Sequence, residues 1–129
     1  MCSITTNETV EKTLKKLEHS NDRKKIEKRL FQFACEANIN CPGGLDNPSL
    51  KMNGMPNDLK EIRKYRCGRH RIYFTGHYKQ CSYRVFYIKD FKKKGVKEED
   101  DVEFQGILSH ALDKQPIRQI SNPNSGMVK

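Results

Sequence analysis

The chain has 129 residues, of which 35% are hydrophobic and 32% charged, and its longest unbroken apolar run is the four residues 85–88. A membrane-spanning helix needs ~20 mainly apolar residues, and a secretory signal needs an apolar stretch of roughly 7 to 15, so neither is expected here. We therefore expect one compact cytoplasmic domain over residues 1–114, followed by a polar, disordered tail over residues 115–129.

The positive charge is concentrated in the middle of the chain. Lys and Arg number 25 against 16 Asp and Glu, a net charge of +9, and residues 51–97 hold 14 of the basic residues and only 3 of the acidic ones. A segregated positive field favours a polyanionic partner, most often nucleic acid, because phosphate contacts release counterions. A generally basic, soluble surface is the alternative interpretation.

The five cysteines are odd in number and contain no C-x-x-C pair, which favours reduced thiols. Cys67, His70, His77 and Cys81 are spaced C-x2-H-x6-H-x3-C and offer four possible zinc ligands. This spacing matches no zinc finger or knuckle, and the residues fall in strand-like segments. We therefore expect no metal and no cofactor.

Two amphipathic helices are predicted near the start of the chain. Thr5 and Glu8 form a capping-box pattern before a helix over residues 7–19, and residues 20–22 supply cap candidates for a second helix over residues 23–38. The apolar stripes of the two helices have helical spacing. They consist of Val10, Leu14 and Leu17 in the first helix, and Ile26, Leu30, Phe33, Ala34 and Ala37 in the second.

Short strand-like runs follow a loop at residues 40–50. Residues 59–66, 70–75 and 83–89 read as an antiparallel meander, and residues 98–101 open a last helix with an apolar face of Phe104, Ile107, Leu108 and Ala111. Alternation along the first two runs divides the side chains between the two faces of the sheet. It puts Ile62, Ile72 and Phe74 toward the core, and Glu61, Arg63, Arg71 and Tyr73 on a polar, basic face. The fold class is therefore α+β, with two antiparallel N-terminal helices packed on a small antiparallel sheet and a C-terminal helix.

In this order of elements the chain resembles the RelE/ParE toxin superfamily, and within it the HigB-like, phage-associated branch. The likeness covers residues 7–112. Residues 50–56 (LKMNGMP) resemble the family's entry to the sheet, residues 70–74 (HRIYF) resemble its xRVxY segment, and residues 91–94 (FKKK) resemble the end of its last strand. The strand that opens this fold would be reduced to about residues 2–5.

The resemblance implies a ribosome-dependent mRNA endonuclease, the toxin of a toxin-antitoxin pair. The RNA 2′-hydroxyl would attack the adjacent phosphorus without a metal, and arginine suits the dianionic transition state because it binds phosphate through a charged fork. Arg71 matches the arginine after the turn, Arg63 matches a basic position in the preceding strand, and Glu61 is a candidate for proton transfer. His70, next to Arg71, should point to the opposite side of the strand. The expected nucleic-acid contacts are Lys60, Tyr73, Lys92, Lys93 and Lys94.

Two other functions stay open at this point. The ParE side of the superfamily inhibits DNA gyrase with the same fold, and a binding module for RNA or DNA would show the same basic face without catalysis. The expected partners are mRNA on the ribosome and an antitoxin, of a helix-turn-helix type by family resemblance, with an acidic or helical segment that covers the basic face.

Overall fold

The computed structural model describes residues 3–18, 21–35, 55–56, 59, 61–77, 82–90 and 102–120. The elements follow in the order β1 (Ser3–Asn7), α1 (Glu8–Lys16), α2 (Asp22–Cys35), β2 (Arg63–Cys67), β3 (His70–His77), β4 (Ser82–Asp90), α3 (Val102–Leu112) and β5 (Pro116–Ile120). The predicted α+β class is confirmed by these three helices and one five-stranded sheet. None of the described helices is long and apolar enough to cross a membrane.

The sheet is mixed, which corrects the expectation of a purely antiparallel one. Its strand order is β2-β3-β4-β1-β5, so β2 and β5 are the edges. The pairs β2–β3, β3–β4 and β1–β5 are antiparallel, whereas β1 and β4 are parallel. The N-terminal strand thus lies inside the sheet and is a full five-residue strand.

The last strand, β5, also corrects a prediction. Residues 116–120 were expected to belong to a disordered tail, but they pair with β1 in the register Ile4↔Ile120 and Thr5↔Gln119. Ile120 is only 1% exposed. Pro116 is tolerated because it is the first residue of an edge strand, where its missing N–H is not needed by a neighbour. Residues 121–129 lie outside the described residues.

Both faces of the sheet are covered, and each carries its own core. On one face, which we call the α1–α2 face, apolar residues of α1 and α2 pack on the sheet. This core includes Val10, Leu14, Ile26, Leu30, Tyr65, Ile72, Phe74, Tyr83 and Val85. The opposite face, the α3 face, is covered by Phe104, Leu108 and Ala111, which pack on Leu59, Ile62, Tyr73 and Phe86. Ile107 of the predicted apolar face of the helix is instead 42% exposed.

Asn7 connects β1, α1 and α3. It is fully buried, and its side-chain oxygen accepts a hydrogen bond from the Val10 amide at 2.9 Å, which makes it the N-cap of α1. The predicted Thr5–Glu8 capping box does not form, because Thr5 is still within β1. The Asn7 amide nitrogen donates to the carbonyl oxygens of Phe86 (3.2 Å) and Ala111 (2.9 Å). Arg84 donates through one guanidinium nitrogen to two further carbonyls at this end of α3, those of Leu112 and Lys114.

A charged network attaches the edge strand β5 to the helices. Arg118 donates from Nε to Glu11 at 2.7 Å and from Nη2 to Glu27 at 2.5 Å. Arg23 lies 3.5 Å from Glu27 and 3.2 Å from Glu18. These side chains are partly shielded from water, so their pairing is stronger than that of a fully exposed ion pair.

Candidate nucleic-acid interface

Three basic side chains form one line across the α3 face, at the end of the sheet that holds the β2–β3 turn. Arg66, Arg71 and Lys89 are direct partners on three neighbouring strands. Residues directly opposite in antiparallel strands share a face with Cβ atoms ~5 Å apart, where like charges destabilise a sheet. We call these residues the cationic row. A row of like charges of this kind marks a candidate functional surface.

The cationic row is partly shielded from water. Arg71 is 8% exposed and Lys89 is 7% exposed, whereas Arg66 lies in the open on the edge strand. The Lys89 ammonium lies 4.0 Å from the centre of the Phe104 ring, a cation–π contact with α3. Shielding strengthens the attraction of these cations for an anion, because the effective dielectric constant is lower than in water.

Three aromatic side chains form a cluster on the α3 face next to the cationic row. Tyr73 and Tyr87 are cross-strand partners, and Phe104 of α3 packs edge-on against both, with ring centres 5.7 Å and 5.9 Å away. Burial raises the pKa of Tyr87, so its hydroxyl keeps its proton at neutral pH. Tyr73, which the sequence predicted to contact RNA bases, is 0% exposed and belongs to the core of the α3 face.

The strand register places the two predicted catalytic arginines on opposite faces of the sheet. Arg63 is the cross-strand partner of Phe74, so it lies on the α1–α2 face, whereas Arg71 lies on the α3 face. The cause is the two-residue turn at Gly68 and Arg69, which pairs Cys67 with His70. Odd-numbered residues of β2 therefore pair with even-numbered residues of β3, and the assumption that 63, 71 and 73 share a face is wrong. Similarly, Ile62 packs in the α3-side core, with Tyr73 and not with Ile72.

Of the remaining predicted site residues, the structure describes Glu61, which is exposed and lies in a turn before β2, outside the paired strands. His70 pairs with Asp90, on the face opposite to Arg71, as its place next to Arg71 predicted. Lys60 and residues 92–94 lie outside the described residues.

The described part of the chain does not bring its possible zinc ligands to one site. Cys67 and His70 are paired next to the β2–β3 turn, but His77 is at the other end of β3, seven residues or roughly 23 Å away. Cys81 is outside the described part of the chain. Within that part, no group of three or more His, Cys, Asp or Glu side chains is arranged to hold a metal ion.

Sequence reasoning missed two members of the cationic row, Arg66 and Lys89. The signal that would have found Arg66 is the length of the turn, whereas the alignment of Lys89 depends on the register of β4. Gly68 has a φ of +62°, the left-handed conformation that glycine adopts readily at a tight turn. A two-residue turn over Gly68 and Arg69 pairs 67 with 70 and therefore 66 with 71.

The turn itself carries an exposed ion pair. Arg69 contacts Asp90 through both ends of its guanidinium, with its Nε 3.1 Å from one carboxylate oxygen. The hydrogen bond and the charge of Asp90 raise the pKa of Arg69 further above its usual range. Asp90 thus offsets the charge of Arg69 at the turn.

The chain matches no protein-family model, no curated protein and no solved structure, so the case for a function rests on its own residues.

Proposed function

We propose that the protein is a toxin of the RelE/ParE type that cleaves mRNA on the ribosome, and that the cationic row binds the phosphodiester to be cut. The observation that carries this proposal is the direct cross-strand alignment of Arg66, Arg71 and Lys89. The order of the elements, with an opening strand, two helices and then three strands, supports the resemblance seen in the sequence.

The cationic row suits the chemistry of RNA cleavage. The 2′-hydroxyl loses its proton and attacks the phosphorus, the bond to the 5′-oxygen breaks, and that oxygen takes up a proton. The products are a 2′,3′-cyclic phosphate and a free 5′-hydroxyl. Negative charge grows on the phosphoryl oxygens in the transition state, and shielded arginine and lysine side chains stabilise it most. Arg71 is the central member of the row, so we assign it the main contact with the phosphoryl oxygens.

The partners follow from the same site. A protein with a net charge of +9 and a shielded cationic row needs an inhibitor that brings negative charge to that row. We propose an antitoxin with an acidic segment that covers Arg66 and Arg71, and with a DNA-binding helix-turn-helix part by family resemblance. Charge complementarity of this kind speeds association and selects the partner.

Binding of RNA without cleavage is the second candidate function. It is favoured by one specific observation, which is that Tyr73, although it lies on the α3 face with Arg71, is 0% exposed and offers no accessible hydroxyl to bound RNA. A binding module needs the cationic row alone, whereas a nuclease also needs a proton acceptor and a proton donor.

The test is translation of a defined mRNA on purified ribosomes, with new 5′ ends mapped after the protein is added. We expect Arg71→Ala to slow cleavage by about 100- to 1,000-fold, the usual effect of removing one transition-state contact. Arg71→Lys keeps the charge and removes the fork, so it should bind ribosomes normally and still cleave slowly. Lys12→Ala is the matched control, because it removes one exposed positive charge on α1 that is paired with Glu8.

The outcomes separate the candidates. Wild-type cleavage that survives in a folded Arg71→Ala variant contradicts the assignment of the site. Ribosome binding without any new 5′ ends favours the binding module. Growth arrest with intact mRNA and no ribosome binding favours a protein target such as gyrase.

A further inference from the structure

A basic cleft opens on the side of the sheet opposite to the cationic row. It lies between α2 and the β2–β3 turn, has a volume of about 460 Å³, and is lined by Lys25, Lys28, Arg29, Gln32, Cys67 and Gly68. The four residues from α2 are spaced i, i+3, i+4 and i+7, so they form one continuous stripe along the helix. We call this site the α2 cleft. Its volume is within the range of small-ligand sites.

Basic side chains make up half of the described lining of the α2 cleft. Cys67 is 5% exposed and forms part of its wall. Burial raises the pKa of the Cys67 thiol, while the charges of Arg29 and Lys25 act in the opposite direction. The field of these two cations therefore reaches the wall of the cleft, with Asp22 as a weaker acidic influence on the same thiol. An anion placed there would be stabilised by at least two positive side chains.

The composition of the lining selects phosphate groups over nucleobases. None of the six described lining residues is aromatic, so the described part of the lining offers no aromatic ring on which a base could stack. Lysine and arginine head groups with one carboxamide are the usual partners of phosphate oxygens, and they carry no base specificity. The cleft is thus suited to a phosphate chain irrespective of sequence.

The α2 cleft and the cationic row meet at the β2–β3 turn. Arg66 of the row and Cys67 of the cleft are consecutive residues of β2, and their side chains lie on opposite faces of the sheet. An extended RNA strand that passes over the β2–β3 turn would therefore meet positively charged side chains on both sides of the turn. Free triphosphate offers the same chemistry but is too short to reach both sites at once.

We infer that the α2 cleft is a second phosphate-binding site, which holds the backbone of single-stranded RNA while another part of the same strand lies at the cationic row. This inference rests on the proposed function only in taking RNA as the ligand, and it requires no cleavage. The cleft adds affinity and sets the length of RNA that the protein covers, and Arg71 remains the residue at the reacting phosphate.

Gly68 allows a test that leaves every cation in place. A side chain built on Gly68 meets no atom within 4 Å, and its positive φ is tolerated by Asn and Asp. Gly68→Asp and Gly68→Asn have the same shape and differ by one negative charge at the edge of the cleft. We expect Gly68→Asp to bind RNA roughly tenfold more weakly than Gly68→Asn. The slope of log affinity against log salt concentration should be smaller by about 0.7, which corresponds to one phosphate contact on single-stranded RNA.

The probe is a fluorescein-labelled 2′-O-methyl RNA of roughly 12 nucleotides, a length typical of single-strand sites, with binding followed by anisotropy at several salt concentrations. The methylated sugar lacks the attacking hydroxyl, so binding is measured without cleavage. A second comparison replaces Lys25, Lys28 and Arg29 with Gln, against a control that replaces Lys12, Lys15 and Lys16 of α1. Both variants lose three positive charges, and only the first should lower the salt slope by about 2.

Equal RNA affinities of Gly68→Asp and Gly68→Asn, with both folded, would overturn the inference. Equal loss in the two triple variants would overturn it as well, because net charge alone would then explain binding. Sodium triphosphate that competes with RNA equally well in wild type and in Gly68→Asp would show that phosphate chains bind elsewhere, and would also overturn it. If the wild type does not cleave mRNA but Gly68→Asp still binds RNA more weakly than Gly68→Asn, the proposed nuclease function is contradicted and the α2 cleft remains supported.

Discussion

Replacement of Asn7 should destabilise the protein more than any exposed change of similar size. Asn7 makes three buried hydrogen bonds, to the amide of Val10 and to the carbonyls of Phe86 and Ala111. They join the N-terminus of α1 to β4 and to the last turn of α3. The two helices cover opposite faces of the sheet, so one side chain couples both cores.

The magnitude follows from the three bonds. Loss of an N-cap costs about 1 kcal/mol. Each buried carbonyl that loses its donor costs a further ~1 to 3 kcal/mol. We therefore expect Asn7→Ala to lower the free energy of unfolding by about 3 to 7 kcal/mol, a large part of the ~5 to 15 kcal/mol typical of a domain. Asn7→Ser keeps a capping oxygen and removes the two amide donors, so it should lose roughly 2 to 6 kcal/mol.

The assay is urea unfolding followed by circular dichroism, with the slope on denaturant concentration checked for constancy. Thr13→Ala is the matched control, because its hydroxyl bonds only to Thr9 within α1, at 3.3 Å. Its loss should be below about 1 kcal/mol. If Asn7→Ala is no less stable than Thr13→Ala, the coupling role of Asn7 is refuted. If Asn7→Ser matches the wild type, the two carbonyl contacts carry none of the stability.

Three further results are expected. Gly76→Ala should lower stability by ~1 to 3 kcal/mol in the same urea assay, because a Cβ there would lie 2.6 Å from the backbone oxygen of Ser82, and an unchanged midpoint would contradict this. Arg118→Met should cost about 1 kcal/mol at low salt and less at high salt, since the charges of Glu11 and Glu27 are only partly shielded. Cys67 should be alkylated at pH 8 more slowly in the folded protein than in the unfolded chain, because burial raises the pKa of its thiol and lowers the thiolate fraction. The rates can be measured by peptide mass spectrometry, and equal rates would refute the shielding of Cys67.

Local patterns in the sequence predicted the helices and most strands. The stripe of Val10 and Leu14 gave a helix over residues 7–19, and α1 spans Glu8–Lys16 with those two residues buried. The run at residues 83–89 became β4, Ser82–Asp90. Both elements are determined by neighbouring residues within one helical turn or one strand, so the local sequence pattern is enough to predict them.

The faces of the sheet depend on distant partners and could not be read in this way. Tyr73 alternates with apolar neighbours as a polar-face residue would, yet Phe104 of α3 packs against its ring and buries it. Arg63 was placed beside Arg71 by counting residues in steps of two, and that count fails across the two-residue turn. Arg66 and Lys89 come into line with Arg71 only through the register of three strands.

The strand β5 illustrates the same limit. Its sequence, Pro116–Ile120, is polar apart from Ile117 and Ile120, and Ile117 is 62% exposed. Nothing local distinguishes it from a tail. It becomes a strand because β1 offers an open edge and because the carboxylates of Glu11 and Glu27 hold Arg118.

The position of β1 inside the sheet determines how the protein can be made. The partners of Thr5 in the sheet are Arg84 and Gln119, which follow it by about 80 and about 110 residues, and pairing over such distances closes long loops and folds slowly. During synthesis β1 emerges before its neighbours β4 and β5, and it stays unpaired until they have emerged. A chain cut before residue 116 would leave its outer edge open to strands of other molecules. The finished sheet therefore forms only when residue 120 has left the ribosome.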